Sequence, residues 1–131
     1  MIRILLTVHP PREYGIWAEE LVADYLLAKG MRPISKNYRC KFGEIDLIMR
    51  QDSTVVFVEV RFRRNSHFGT GVQSVDSRKK RRIVMTARHY LQQNPLLRDR
   101  PCRFDIVSVS SPNPSSDRYD NVQWIPAAFE A

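Results

Sequence analysis

"GEIDLIMRQDSTVVFVEVRFR", Gly43 to Arg63, reads as two apolar strands joined by a short turn. Apolar, β-branched and aromatic residues enrich the two runs 44–50 and 54–62 taken together, and Asp52-Ser53 carries turn chemistry between them. Each strand holds one carboxylate inside its apolar run, Asp46 and Glu59. An ionised carboxylate is costly to bury unless a cation compensates it. Alternation puts Glu44, Asp46 and Ile48 on one face of the first strand, and Phe57, Glu59 and Arg61 on one face of the second. With a two-residue turn at Asp52-Ser53, Asp46 falls opposite Glu59 and Glu44 opposite Arg61. Opposed residues have Cβ atoms ~4.5–5.5 Å apart, so two carboxylates there repel. Either one keeps its proton, with a raised pKa, or a cation lies between them. Mg2+ suits the second solution, because it prefers oxygen ligands and commonly takes only one or two protein carboxylates. The competing reading is a local salt-bridge cluster, with Glu44 on Arg61 and the other carboxylates on neighbouring arginines.

The elements around this hairpin follow from pattern and punctuation. Residues 12–29, "REYGIWAEELVADYLLAK", have helical composition, and Gly30 supplies a stop. Residues 34–42 suit a first strand. Residues 65–75, "NSHFGTGVQSV", read as a loop. Asp76 or Ser77 caps a helix that runs to about Gln93, with Ile83, Val84, Ala87, Tyr90 and Leu91 on one face. Residues 103–109 form another strand, 110–120 a flexible loop, and the tail docks back through Trp124, Ile125 and Phe129. The order α-β-β-β-α-β predicts an α/β domain with a central mixed sheet covered by helices.

The chain has 131 residues, 43% hydrophobic and 27% charged. That suits one globular domain over 1–131, with residues 1–11 flexible. Its N-terminal apolar run stops at His9-Pro10-Pro11, short of the ~20 residues a membrane span needs. No membrane partner and a cytoplasmic location are therefore expected, with Cys40 and Cys102 as free thiols. The net charge of +7 is unevenly spread: residues 61–103 hold 12 basic and 2 acidic residues, whereas residues 1–60 balance at 8 and 8. Such a block suits a polyanion, most simply nucleic acid. "SRKKRR", 77–82, opens the second helix, where cations oppose the helix dipole unless phosphate is bound there. Lys79, Lys80, Arg81 and Arg82 are the main candidate phosphate contacts, with Arg63, Arg64 and Arg88 beside them.

"GEIDLI" followed by "VFVEVRFR" resembles the YraN-like family of small bacterial proteins, predicted endonucleases. The resemblance extends through Gly15, Glu20-x-x-Ala23-x-Tyr25-Leu26, Gly30, Asn37-x-Arg39, Gly69, Lys79, Ala87, Tyr90-Leu91, Arg103-Phe104-Asp105 and the tail "W-I-x-x-A-F". That family in turn is similar to the restriction-endonuclease-like fold with its PD-(D/E)XK signature, and most to archaeal Holliday-junction resolvases. The resemblance implies a nuclease core using Mg2+ or Mn2+. Asp46 and Glu59 would be its metal-binding acids, the Val60 carbonyl a further ligand, and Glu20 an extra carboxylate from the first helix. Periodicity alone puts Glu20 on the solvent-facing strip.

Arg61 stands where the signature has Lys. Arginine cannot act as a base at ordinary pH, though it binds phosphate bidentately. Lys79, near the start of the second helix, is the other amine in a position to reach the site. The function expected is metal-dependent hydrolysis of DNA phosphodiesters, in branched or repair intermediates. Junction cleavage would require a homodimer with two sites. The alternative is a nucleic-acid-binding protein that retains the nuclease fold with little or no turnover.

Overall fold

In a computed structural model, residues 11–63, 75–111 and 118–131 are described, with side chains from Gly15 onward and to Phe62 in the first of these segments. The elements run α1 (Pro11–Ala28), β1 (Arg32–Cys40), β2 (Gly43–Gln51), β3 (Thr54–Arg63), α2 (Ser77–Gln93), β4 (Cys102–Ser110) and β5 (Val122–Phe129). The expected flexible N-terminus, most of the 65–75 loop and most of the 110–120 loop lie outside the described residues.

The five strands form one sheet in chain order, β1 to β5. All neighbours are antiparallel except β3 and β4, which are parallel and are joined through α2. The result is a mixed α/β sheet with a helix on each face, an arrangement consistent with the restriction-endonuclease-like fold. The tail, expected to dock, does so as a fifth strand on β4.

Alternation along the strands sorts the apolar side chains to two cores. On one face Leu47, Met49, Val56, Val58, Val107 and Val109 pack against Ala18, Val22 and Leu26 of α1. On the other, Ile45, Ile48, Val55, Phe57, Phe104 and Ile106 pack against Ile83, Val84, Ala87 and Tyr90 of α2. β3 therefore reads as an almost unbroken apolar run because it is covered on both sides.

Both helices end as their sequences dictate. Gly30, at φ 92, lets the amides of Gly30 and Met31 reach back to Leu27 and Leu26 carbonyls at 3.0 and 3.1 Å. Asp76 caps α2, its carboxylate accepting from the Lys79 amide at 2.8 Å.

Candidate active site

The β2–β3 hairpin turns through Asp52, at φ 53, and Ser53, and pairs Gln51 with Thr54, Ile48 with Phe57 and Leu47 with Val58. This is the register expected from a two-residue turn. The ladder stops one step short of the Asp46–Glu59 pair. There the Val60 amide donates to the Asp46 carboxylate at 2.8 Å instead of to a strand carbonyl.

The neighbouring strand is irregular at the same level. Lys36 pairs with Leu47 and Tyr38 with Ile45, but between them Asn37 adopts left-handed backbone at φ 53. Alternation breaks at Asp46: Ile45 faces α2, and Leu47 faces α1. Asp46 is thereby left partly buried where the β2–β3 pairing ends, within electrostatic reach of Glu19 on α1.

Glu59 is buried, 4% exposed, and its Oε2 takes two cations. Arg61 Nη1 lies at 3.3 Å and Lys79 Nζ also at 3.3 Å. Asp46 is partly buried and shares a hydrogen bond with Glu59. Burial first, and then the negative charge of Glu59, push the Asp46 carboxyl up to about 8; the Val60 amide only partly offsets this. At neutral pH Asp46 thus keeps its proton beside the Glu59 carboxylate.

A third carboxylate approaches from α1, and it is Glu19. It is partly buried, and its pKa is raised by desolvation and then by Glu44, with a smaller push from Glu59; a hydrogen bond from the Asn37 side chain opposes them. Glu20, carried to the site by the resemblance, is exposed, as its place on the outer strip of the helix requires. The adjacency of Glu19 was hidden because the wheel shows direction but not the strand irregularity that brings Asn37 and Asp46 beneath that turn.

Glu44 does not meet Arg61. It pairs with Arg39, its cross-strand neighbour on β1, in an exposed ion pair. The β2–β3 ladder that would have placed it opposite Arg61 ends before reaching it. Of the basic candidates, Lys79 faces inward to Glu59, Lys80 lies over the Phe129 ring at 5.8 Å, and Arg81, Arg82 and Arg88 are exposed along α2. The side chain of Arg63, and all of Arg64, lie outside the described residues.

Asp105 shows what a purely structural buried carboxylate looks like in this fold. It is fully buried, and it accepts from Arg103 at 3.0 and 3.3 Å, from the Trp124 indole at 2.9 Å and from the Ala127 amide at 2.9 Å. Its lone pairs are satisfied, and it fastens β5 to β4. Asp46 has one amide and another acid.

The Asp46–Glu59 pair suits a hard divalent cation, since two acids lie within hydrogen-bond reach of each other and Mg2+ takes most of its shell from water. Among the described residues no three His, Cys, Asp or Glu side chains close into a ready-made cage. The Val60 carbonyl belongs to the residue whose amide holds Asp46. No helix among the described residues is long and apolar enough to cross a membrane.

Residues 18–109 match the sequence model of UPF0102, an uncharacterised protein family. A UPF0102 protein of Nitrosomonas europaea is 46% identical over 116 residues, covering 88% of this chain and 92% of its own. One from Nitrosococcus oceani is 42% identical over 118 residues, 90% and 92% of the two chains. One from Pseudomonas paraeruginosa is 44% identical over 121 residues, 92% and 94%.

Proposed function

The chain belongs to the uncharacterised family UPF0102, and we propose that it is a metal-dependent endonuclease that hydrolyses phosphodiester bonds in DNA. The observation that carries this reading is the Asp46–Glu59 pair: two acids sharing a hydrogen bond where the β2–β3 pairing ends, one of them held protonated up to about pH 8. Such an arrangement opposes folding unless a cation is meant to occupy it.

Asp46, Glu59 and the Val60 carbonyl would hold Mg2+ or Mn2+, and Glu19, coupled electrostatically to both acids, would orient its water shell. The bound ion supplies charge neutralisation at the phosphate and acidifies a water. The chain's own residues do the rest. The Val60 amide fixes Asp46 against rotation. Arg61 and Lys79 approach the same oxygen of Glu59, one from its own strand and one from α2. Arg61 donates to the non-bridging phosphate oxygens as charge builds there. Lys79 supplies the amine missing at the Arg61 position and orients the attacking water. Arg82, exposed nearly one turn past Lys79, and Arg81, exposed beside it in sequence, contact the flanking phosphates.

The amine beside Glu59 favours turnover over the reading in which the fold only binds nucleic acid. The test is a cleavage assay on single-stranded, duplex, flap and four-way-junction DNA with Mg2+, Mn2+ or EDTA. Metal-dependent cleavage of at least one substrate is expected, and the preferred one identifies the role. A strong junction preference would call for a homodimer, which sedimentation would reveal. Binding without cleavage across the panel would make the protein a nucleic-acid binder.

A further inference from the structure

The β1–β2 turn is two residues long, Lys41 and Phe42, closed by the Cys40–Gly43 pair. It is fastened to the side of α2. Gly43 has φ 152, and a methyl group there would come within 3.3 Å of Thr86 Oγ1 and 3.7 Å of Arg82 Cβ, so the turn lies directly against the helix. Thr86 is itself immobilised, fully buried with its hydroxyl donating to the Arg82 carbonyl at 2.7 Å. The tip is thus a rigid projection.

Phe42 at that tip is partly exposed and is in neither of the two hydrophobic cores. Its ring meets the edge of His89 at 6.3 Å, and the Lys41 ammonium lies over it at 5.2 Å. An aromatic ring that packed for stability would reach a core; this one meets a lysine and a histidine, and exposed Arg82 lies against the neighbouring Gly43. Asp46 is four residues further along β2, about 13 Å at strand rise. Lys79, Arg82, Thr86 and His89 follow one edge of α2, from Glu59 past Gly43 to Phe42.

We propose that Phe42 is a base-stacking platform and that, with Lys41 and Arg82 holding phosphates, it binds a single-stranded segment of nucleic acid beside the carboxylates. An aromatic face binds a base only when that base is unstacked from its neighbours, so the platform selects single strands or frayed ends over intact duplex. Lys41 is exposed, so it is free to move from the ring to a phosphate as the base takes its place. The inference deepens the nuclease reading by naming the substrate class, and rests on it only for the site being nucleic-acid-facing.

The test is binding, measured in EDTA so that cleavage plays no part. Labelled single strands of about 16 nucleotides, DNA and RNA, and the matching duplex are titrated by fluorescence anisotropy. Phe42→Ala should weaken single-strand binding roughly 5- to 100-fold and duplex binding far less, with Phe42→Trp restoring it. Lys41→Ala should reduce the salt dependence by about one phosphate contact. Equal loss on duplex and single strand, or no loss on either, overturns the platform while leaving the nuclease reading intact. A wild-type protein that binds neither overturns the platform, while the nuclease reading is decided separately by the metal-dependent cleavage assay. A response from only one of the two sugars supports the platform and identifies the substrate.

Discussion

The amide of Val60 donates to the carboxylate of Asp46 at 2.8 Å, where the β2–β3 ladder would otherwise continue. One strand's backbone thus aims the other strand's acid at Glu59. The protein has set two acids together and fixed them there.

That arrangement has a pH signature. Asp46 titrates near 8 in the fold and at about 4 in the unfolded chain. Below pH 4 both states hold the proton and stability is unaffected. As pH rises from about 4 to about 8 the unfolded chain releases its proton first, so the metal-free fold loses stability. Asp46→Asn keeps an acceptor for the Val60 amide and removes the repulsion. It should exceed wild type in stability at pH 8 by an order of a few kcal/mol, and by much less at pH 5, in EDTA. Thermal melts at the two pH values check this.

Glu19, and not Glu20, should matter to the site. Glu19 senses Glu44, Asp46 and Glu59, whereas Glu20 points to solvent. Glu19→Gln should weaken Mn2+ binding by about tenfold, in the range seen when groups that orient metal ligands are removed. Glu20→Gln should leave it within experimental error. Calorimetric titration of both variants distinguishes them.

Lys79 should act on rate more than on binding. Its ammonium is half-exposed but turned onto Glu59 Oε2 at 3.3 Å. Lys79→Ala should lower kcat about 100-fold with a small change in KM. Arg81→Ala should do the reverse, raising KM and flattening its salt dependence. Steady-state kinetics at two salt concentrations reads both.

Asp105 should be indispensable to the fold and silent in catalysis. Asp105→Ala leaves Arg103 with Gln51 in place of its carboxylate partner and releases the Trp124 indole and the Ala127 amide. A loss of about 3–5 kcal/mol is expected from breaking a buried ion pair. Urea denaturation followed by tryptophan fluorescence measures it.

Much of this was legible in the sequence because the decisive element is local. The Asp52-Ser53 turn fixes the register, and the register brings Asp46 and Glu59 together. The caps at Gly30 and Asp76 mark their helix ends without reference to anything distant. What escaped depends on tertiary placement. Glu44 has Arg39 because β1 lies on its other side, which the hairpin alone cannot reveal. Glu19 reaches the site through a left-handed Asn37 and a break in alternation at Asp46, and periodicity assumes no such breaks. Asp105 gave no sign of its role, since its partners Trp124 and Ala127 come from a strand nineteen and more residues away.

The most direct test of the carboxylate pair is the binding of Mn2+ to the purified protein, by calorimetry or electron paramagnetic resonance at pH 8. Wild type and the variants Asp46→Asn and Glu59→Gln would be compared, with circular dichroism confirming each fold. The account predicts one site or two closely coupled sites in the wild type, and loss of at least about tenfold in affinity in either folded variant. Unchanged Mn2+ affinity in both folded variants would contradict it, and would leave Asp46 and Glu59 as a proton-sharing pair with no cation to hold.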